Sequence, residues 1–308
     1  ILLSKGYHLR SVKSIIPISD KSLNNCLQSV LNLLASTLAP KTVVTYQSSI
    51  NKLSGFNKTI LVNEFNELQV IQFRDHLLSE IKNSPTTCNN TIQNLRVLYN
   101  SYMQRSDIKT NPFAVKSLRE KASTKNIAFT KEHQILLEKY LMENEPEVYF
   151  FTRFVYYSFV RPGELLQLKI RNLNIHENYI SVPANIAKSK RTQTAIIIKP
   201  LQELINERLN FNESDKLIFG HGLVPGFTKS GINVAFRRHQ KALKEIGLEA
   251  FNYTLYSWKH TGAVNAYKSG VGIKELQNML RHSNSNTTDI YLKSLGLRTD
   301  PKAKEYNW

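Results

Sequence analysis

The residues with the clearest chemical capacity stand far apart in the chain. Arg161-Pro162-Gly163-Glu164-Leu165 lies near the middle, and Arg281-His282-Ser283 is followed by Asp289-Ile290-Tyr291 near the C-terminus. Arginine presents a planar fork that clamps two oxygens of a phosphate. A histidine can hydrogen-bond the same group, and a tyrosine hydroxyl can attack it. A phosphodiester between tyrosine and a DNA end conserves the energy of the broken linkage, so a strand can be cut and resealed without ATP or metal. These residues point to phosphoryl transfer on DNA, with Tyr291 as the nucleophile and neither cofactor nor metal required.

The charge balance suits that substrate. Lys plus Arg number 41 against 24 Asp plus Glu, a formal net charge of +17. Each phosphate neutralised by such a surface releases condensed counterions and adds affinity, which favours a polyanionic partner. No apolar run approaches the ~20 residues that span a bilayer, so no membrane partner is expected. The opening Ile1-Leu2-Leu3-Ser4-Lys5 is too short and too soon polar for a signal peptide. Because the first residue is Ile rather than Met, residues 1–18 read as an arm whose start is missing, and a further arm-binding domain ahead of it is left open. Cys26 and Cys88 are too few for a disulfide framework and lack metal-ligand spacing. A reducing cytoplasm is the expected compartment, at the nucleoid when DNA is bound.

The elements that must position these groups fall into a helical half and a mixed half. Residues 19–119 carry four helical patterns. Ser19 or Asp20 can cap the first, whose apolar positions are Leu23, Leu27, Val30, Leu31, Leu34 and Leu38. Pro40 opens the second, with Val43, Tyr46, Ile50 and Leu53 inward and an end near Gly55. The third runs over 67–82 with Leu68, Ile71, Leu78 and Ile81 on one stripe. The fourth runs over 86–102 with Ile92, Leu95, Leu98 and Tyr102. Outward residues include Lys41, Arg74, Lys82, Arg96 and Arg105, and the fourth helix opens on Thr86, Thr87, Asn89 and Asn90. A polar, basic face of this kind, with Lys41, Arg74, Asn90 and Arg96, could lie on a duplex or simply face solvent.

Residues 117–125 lack an apolar period and read as a linker, which sets the interdomain segment at 120–128. Thr130 can then cap a helix reaching Leu141, and 148–160 forms an aromatic-rich helix ending at Arg161. Two β-rich runs, 178–183 and 194–199, flank the basic turn Lys188-Ser189-Lys190-Arg191 and predict a hairpin with cations at its tip. Helix returns over 201–209, 230–246 (which carries Arg237), 257–268 and 273–280. The glycine-bearing stretch 220–226 lacks a phosphate-loop Lys-Ser/Thr and reads as a plain connection.

In order and spacing these motifs resemble the tyrosine recombinases, the phage-type integrases. Arg161-Pro162-Gly163-Glu164-Leu165 is similar to the family's first arginine motif, with Glu164 as its acidic companion. Lys188 falls where the family keeps its hairpin lysine. Tyr256-Ser257-Trp258-Lys259-His260-Thr261 occupies the second motif, Leu280-Arg281-His282-Ser283 the histidine motif, and Tyr291 the nucleophile position. The second motif departs from the usual pattern: Tyr256 stands where a histidine is common and Lys259 where an arginine is common. Lysine keeps the charge but not the bidentate fork. The Tyr-Ser-Trp-Lys-His-Thr form resembles one found in mobile-element integrases of Bacteroidetes-type bacteria.

The resemblance implies a mainly α fold with a small β-sheet. Its parts would be a helical, SAM-like core-binding domain over 19–119, an α+β catalytic domain over 129–293 and a C-terminal tail over 294–308. It implies strand cleavage and transfer at double-stranded DNA attachment sites, by a homotetramer, for integration and excision of a mobile element. An accessory DNA-bending or excision factor is a further possible partner. Arg161, Lys259 and His282 would stabilise the phosphate, with Tyr256 beside them, and Lys188 would be the acid, with Lys190 and Arg191 as rivals in the same turn. Lys190, Arg191 and Arg237 would add DNA contacts. Three other readings stay open on the sequence: a type IB topoisomerase, a metal-dependent transposase, and an idle DNA-binding regulator on the same scaffold.

Overall fold

In the computed structural model, the residues described are 22–119, 127–219 and 231–282, together with Asn284, Thr288 and Leu292. The chain divides into two compact units, Ile1–Ala122 and Ser123–Trp308.

Side-chain caps and a proline set the helix starts of the first unit. Ser22 accepts from the Asn25 N–H and opens α1 (Leu23–Leu34); the Ser19 and Asp20 caps expected from sequence lie outside the described residues. Pro40, whose missing N–H costs nothing in a first turn, opens α2 (Pro40–Phe56). Asn66 and Gln69 form a reciprocal capping box at the start of α3 (Glu67–Ser79). Ser84 caps α4 (Pro85–Met103) by accepting from the Thr87 N–H. The apolar faces of α1, α2 and α4 meet around Leu27, Leu31, Leu53, Leu95 and Tyr102, and α3 adds Val70, Phe73 and Leu77.

Helix α3 packs on the core through a different face from the stripe its sequence suggests. The core side of α3 is Val70, Phe73 and Leu77, while Leu68 is 61% exposed and Ile81 49% exposed. Several apolar residues crowd this short segment, so more than one stripe fits its sequence, and tertiary packing chooses. The α1 helix also ends earlier than its pattern, at Leu34, with Leu38 packed on the core from the following turn.

The second unit begins its described part with α5 (Lys131–Asn144), capped by Thr130, and the aromatic α6 (Pro146–Ser158). A single-turn α7 (Pro162–Leu165) leads into a three-stranded antiparallel sheet, β1 (Leu173–Asn174), β2 (Tyr179–Val182) and β3 (Gln193–Ile196), in the order β1-β2-β3. Tyr179 pairs with Ile196 and Val182 with Gln193, which leaves residues 183–192 as the hairpin loop. The second strand is shorter than its pattern. Lys199 and Pro200 open α8 (Lys199–Arg208), because proline suits a helix's first turn and cannot donate to a ladder. Helices α9 (Gly231–Glu245), α10 (Leu255–Lys268) and α11 (Ile273–Leu280) complete the described fold. Its core joins α5, α6, the sheet and α10 through Leu141, Phe154, Ile180, Ala195 and Trp258. Among the described residues no helix is long and apolar enough to cross a membrane.

Candidate active site

Glu164 organises the site. Its carboxylate is almost fully buried, yet it meets donors from three residues, the Arg161 backbone N–H among them at 3.4 Å. The Arg161 Nη1 lies 3.1 Å from Oε1, the Lys188 backbone N–H donates to the same oxygen at 3.0 Å, and the Arg281 Nη2 donates to Oε2 at 2.6 Å. Burial alone would raise the carboxyl pKa. The Lys188 N–H and the Arg281 and Arg161 charges outweigh it and hold the carboxyl below its ordinary range. One carboxylate thereby fixes the first arginine motif, the hairpin loop and the histidine motif together. Arg161 itself opens α7, and its side chain remains 21% exposed, within reach of a ligand.

Local chain geometry places each member. The α6 helix stops at Phe159, which takes the left-handed conformation (φ 54°) and delivers the extended residue Arg161 to the N-terminus of α7. For a residue with a side chain that conformation costs roughly 1–2 kcal/mol. Arg281 is left-handed too (φ 57°) and caps α11, so that His282 leaves the helix axis. The Gln277 side-chain amide donates to the His282 carbonyl at 3.2 Å, and the His282 Nδ1 pairs with the Thr288 hydroxyl at 3.0 Å.

Helix α10 carries the second motif. Thr254 and Ser257 form a capping box that starts it at Leu255, two residues earlier than its pattern suggests, so Tyr256 lies in the first turn. Trp258 anchors it: fully buried, it donates from Nε1 to the His239 Nε2 at 2.9 Å and lies beneath the Arg153 guanidinium, 4.4 Å from the ring centre. Arg153 is held in turn by Glu138 at 2.5 Å. Thr261 accepts from the Phe129 N–H at 2.8 Å and ties the start of the domain to the same helix.

With Trp258 turned inward, the next residue points at the site. Lys259 is 5% exposed and donates from Nζ to the Phe159 carbonyl at 2.7 Å. Its pKa is pushed well below the usual lysine range, first by burial and then by the positive charges of Arg161 and Arg281, with Glu164 opposing. No ion pair of Lys259 is found among the described residues. His282 is lowered to about 4 by burial and by the Lys259 and Arg161 charges, so its imidazole is neutral at neutral pH. His260 is also lowered to about 4, by burial and then by Lys259. Tyr256 is 40% exposed; burial raises its hydroxyl pKa and the Arg161 charge works against that. Arg161, Tyr256, Lys259 and His282, read separately from sequence, thus share one electrostatic neighbourhood.

The other sequence candidates fall as follows. Lys188, Lys190 and Arg191 are exposed on the hairpin loop, with Lys190 left-handed (φ 58°) at its tip. Lys41, Asn90 and Arg237 are exposed on α2, α4 and α9. Arg74 is half-buried and lies 3.8 Å from Asp75. Arg96 departs from the expectation of an outward residue. Its Nε donates to the Phe113 carbonyl and its Nη2 to the Val115 carbonyl, each at 2.8 Å, fastening the segment after α4 to the bundle. Tyr291 lies outside the described residues, as does the stretch 220–226; the neighbouring Leu292 is buried with Phe159, Tyr267 and Leu280. Sequence reading missed the structural weight of Arg281 and the Phe159 carbonyl. Arg281 had only its place beside His282 to signal it, and Phe159 had no signal.

The arrangement brings Arg161, Lys259, Arg281 and the neutral His282 imidazole into one neighbourhood, with the buried Glu164 carboxylate behind them. That suits charge stabilisation on a phosphodiester. Among the described residues no group of three or more His, Cys, Asp or Glu side chains could hold a metal.

Comparison with known proteins identifies the family. A model described as the phage integrase family matches residues 134–296, and one described as the phage integrase SAM-like domain matches residues 22–122. A curated tyrosine recombinase of Pseudothermotoga lettingae is 25% identical over 266 residues, covering 83% of this chain and 88% of the relative. Among solved structures, the Tn1549 transposon integrase in complex with circular intermediate DNA superposes with a TM-score of 0.70 at 14% identity, over 86% of this chain and 94% of that one. A lambda integrase tetramer bound to a Holliday junction gives 0.68 at 15% identity, over 92% and 84%. At these identities the structural likeness speaks for the fold.

Proposed function

The chain belongs to the phage integrase family, and from that premise we propose that it is a site-specific DNA recombinase working through a 3′-phosphotyrosyl intermediate on Tyr291. The observation that carries this reading is the convergence of Arg161, Lys259 and His282 beside Glu164. Tyr291 attacks the scissile phosphate. As phosphorus becomes pentacoordinate, charge grows on the non-bridging oxygens, and Arg161, Lys259 and the His282 ring stabilise it. One of the three Lys259 donors is used on Phe159, and the ammonium can turn the others toward phosphate. Phosphate charge also favours the protonated form of a lysine whose pKa burial has lowered. Lys188, exposed on its loop but tethered by its backbone to Glu164, protonates the leaving 5′-oxygen, since an alkoxide leaves poorly. The freed hydroxyl of a partner strand then attacks the phosphotyrosine and exchanges strands.

Exposed Lys41 and Asn90 on the first unit, and Lys190, Arg191 and Arg237 on the second, supply phosphate contacts, so that both units engage the duplex. The working assembly is a homotetramer on two attachment sites of a mobile element, with an accessory DNA-bending or excision factor setting direction.

Single-turnover cleavage of a duplex carrying a nick near the scissile phosphate, in EDTA, tests this. A covalent protein–DNA adduct is expected. Lys259→Ala should lose on the order of 10²–10³ in cleavage rate with little change in DNA affinity, because a cation at the developing charge acts chiefly in the transition state. Lys259→Arg should retain much of the activity. Binding without any adduct would make the chain a regulator. A normal rate per folded Lys259→Ala molecule would make Lys259 structural.

A further inference from the structure

We infer that Gly262 and the left-handed Phe159 form a seat that sets Lys259 against the phosphate site, which makes both of them positioning residues for strand cleavage. The inference rests on the reading of Lys259 as the site's second cation. Its geometry comes from the crossing of α10 over the end of α6. A β-carbon built on Gly262 would lie 2.2 Å from the Tyr156 carbonyl oxygen and 2.9 Å from the Phe159 Cε1. No side chain fits there, so the two helix backbones approach as closely as glycine permits.

Lys259 sits one turn before Gly262 on α10, and Phe159 directly follows the last residue of α6, three positions after Tyr156. The contact at Gly262 and Tyr156 therefore fixes, one turn away, the height at which the Lys259 ammonium meets the end of α6. What it meets is the Phe159 carbonyl, at 2.7 Å. That carbonyl is aimed by the positive φ of Phe159, and two residues later the chain delivers Arg161.

The Phe159 ring completes the seat. It is 2% exposed and packs in a cluster with Ala263, Tyr267, Leu276, Leu280 and Leu292. Those residues belong to α10, to the α11 helix that leads into Arg281 and His282, and to the position beside Tyr291. One residue thus holds Lys259 with its carbonyl and supports the histidine motif with its ring. An arginine in place of Lys259 could grip phosphate with its own planar fork. A lysine is a point charge on a flexible stem, and its placement has to come from its surroundings.

The test is a double-mutant cycle on single-turnover cleavage of the nicked duplex, normalised to folded protein. Gly262→Ala should lower the rate by on the order of 10²-fold, the cost of a misplacement of about 1 Å, with DNA affinity unchanged. In a Lys259→Ala background the same change should lose little more, because the group it positions is already gone. Losses that multiply, or a Gly262→Ala rate near that of the unaltered protein, would overturn the inference. If Gly262→Ala fails to fold, Phe159→Gly and Phe159→Val decide. Both remove the ring, but only glycine accepts the left-handed conformation readily. Phe159→Val should cleave at least tenfold more slowly than Phe159→Gly, and the gap should close in the Lys259→Ala background. Equal rates, or a gap that persists there, would refute the seat. If Lys259→Ala alone cleaves normally, the role of Lys259 itself fails, an outcome distinct from the others.

Discussion

Among the described residues of the first unit, the buried polar side chains are Asn24, Ser49 and Thr91, all neutral, whereas the second unit buries Arg153, Glu164, His239, Lys259 and Arg281. Both units have apolar cores, that of the second in two clusters. The first behaves as an ordinary bundle, with its charges at or near solvent. The second withdraws cations from water at considerable desolvation cost and offsets that with the Glu138 and Glu164 carboxylates, a backbone carbonyl and aromatic faces. Such an expense is hard to explain by stability, since apolar residues of similar size often serve as well. It is understandable where a dry, preorganised field must meet charge that develops only in a transition state.

The contrast predicts unequal sensitivity to charge removal. Glu164→Ala leaves Arg281, whose side chain is 2% exposed, without its partner and should cost about 3–5 kcal/mol. Removing Asp75 from its pair with Arg74, where the carboxylate is 65% exposed, should cost no more than ~1 kcal/mol. Urea unfolding of the two variants compares them directly, and similar losses would erase the distinction between the units.

A smaller effect separates scaffold from surface within the first unit. Arg96→Met forfeits two hydrogen bonds to the Phe113 and Val115 carbonyls and should lose about 1.5–3 kcal/mol of stability, with the salt dependence of DNA binding unchanged. Lys41→Ala should do the reverse: stability within ~0.5 kcal/mol, and a salt slope shallower by about 1. A change in slope for Arg96→Met would return that residue to the DNA face.

The last expected effect is in pH. His239 accepts from Trp258, and burial lowers its pKa to about 3, while the His260 and His282 values lie near 4. In the unfolded chain these groups titrate near ~6.5. The unfolded state therefore takes up protons first, and stability should be full above about pH 6.5 and decline as pH falls toward 4. The depressed Glu164 carboxyl adds a further loss below its ordinary 4.5. Trp258 is fully buried in the second unit, so its fluorescence follows the unfolding of that unit. His239→Gln keeps an acceptor for the Trp258 N–H but cannot titrate, and its decline between pH 6.5 and 4 should be shallower. An unchanged decline would place the proton uptake elsewhere.

Local signals were readable in the sequence wherever local chemistry decides. Pro40, Thr130 and the span 273–280 set helix positions that the structure reproduces, because caps and prolines act within one turn. The α3 stripe was misread because its apolar residues satisfy more than one helical face. Within the site, residue types and order pointed to Arg161, Tyr256, Lys259 and His282, which the fold does bring together. The bonds that unite them were beyond reach. Glu164 meets Arg281 across 117 positions, and Lys259 meets Phe159 across 100. Nor does any pattern announce that an aromatic residue will take a left-handed turn, since the strain is local and its compensation is not.

If this cluster of charged groups serves a tyrosine nucleophile, Tyr291→Phe abolishes its covalent chemistry. The change removes one hydroxyl from an interface dominated by phosphate contacts, so DNA affinity should stay within about twofold. With a nicked duplex the unaltered protein should form a covalent adduct that protease digestion maps to Tyr291, and the phenylalanine variant should form none. An adduct of undiminished yield in Tyr291→Phe would contradict the account and move the nucleophile to another residue, with Tyr267 and Tyr306 the next to test.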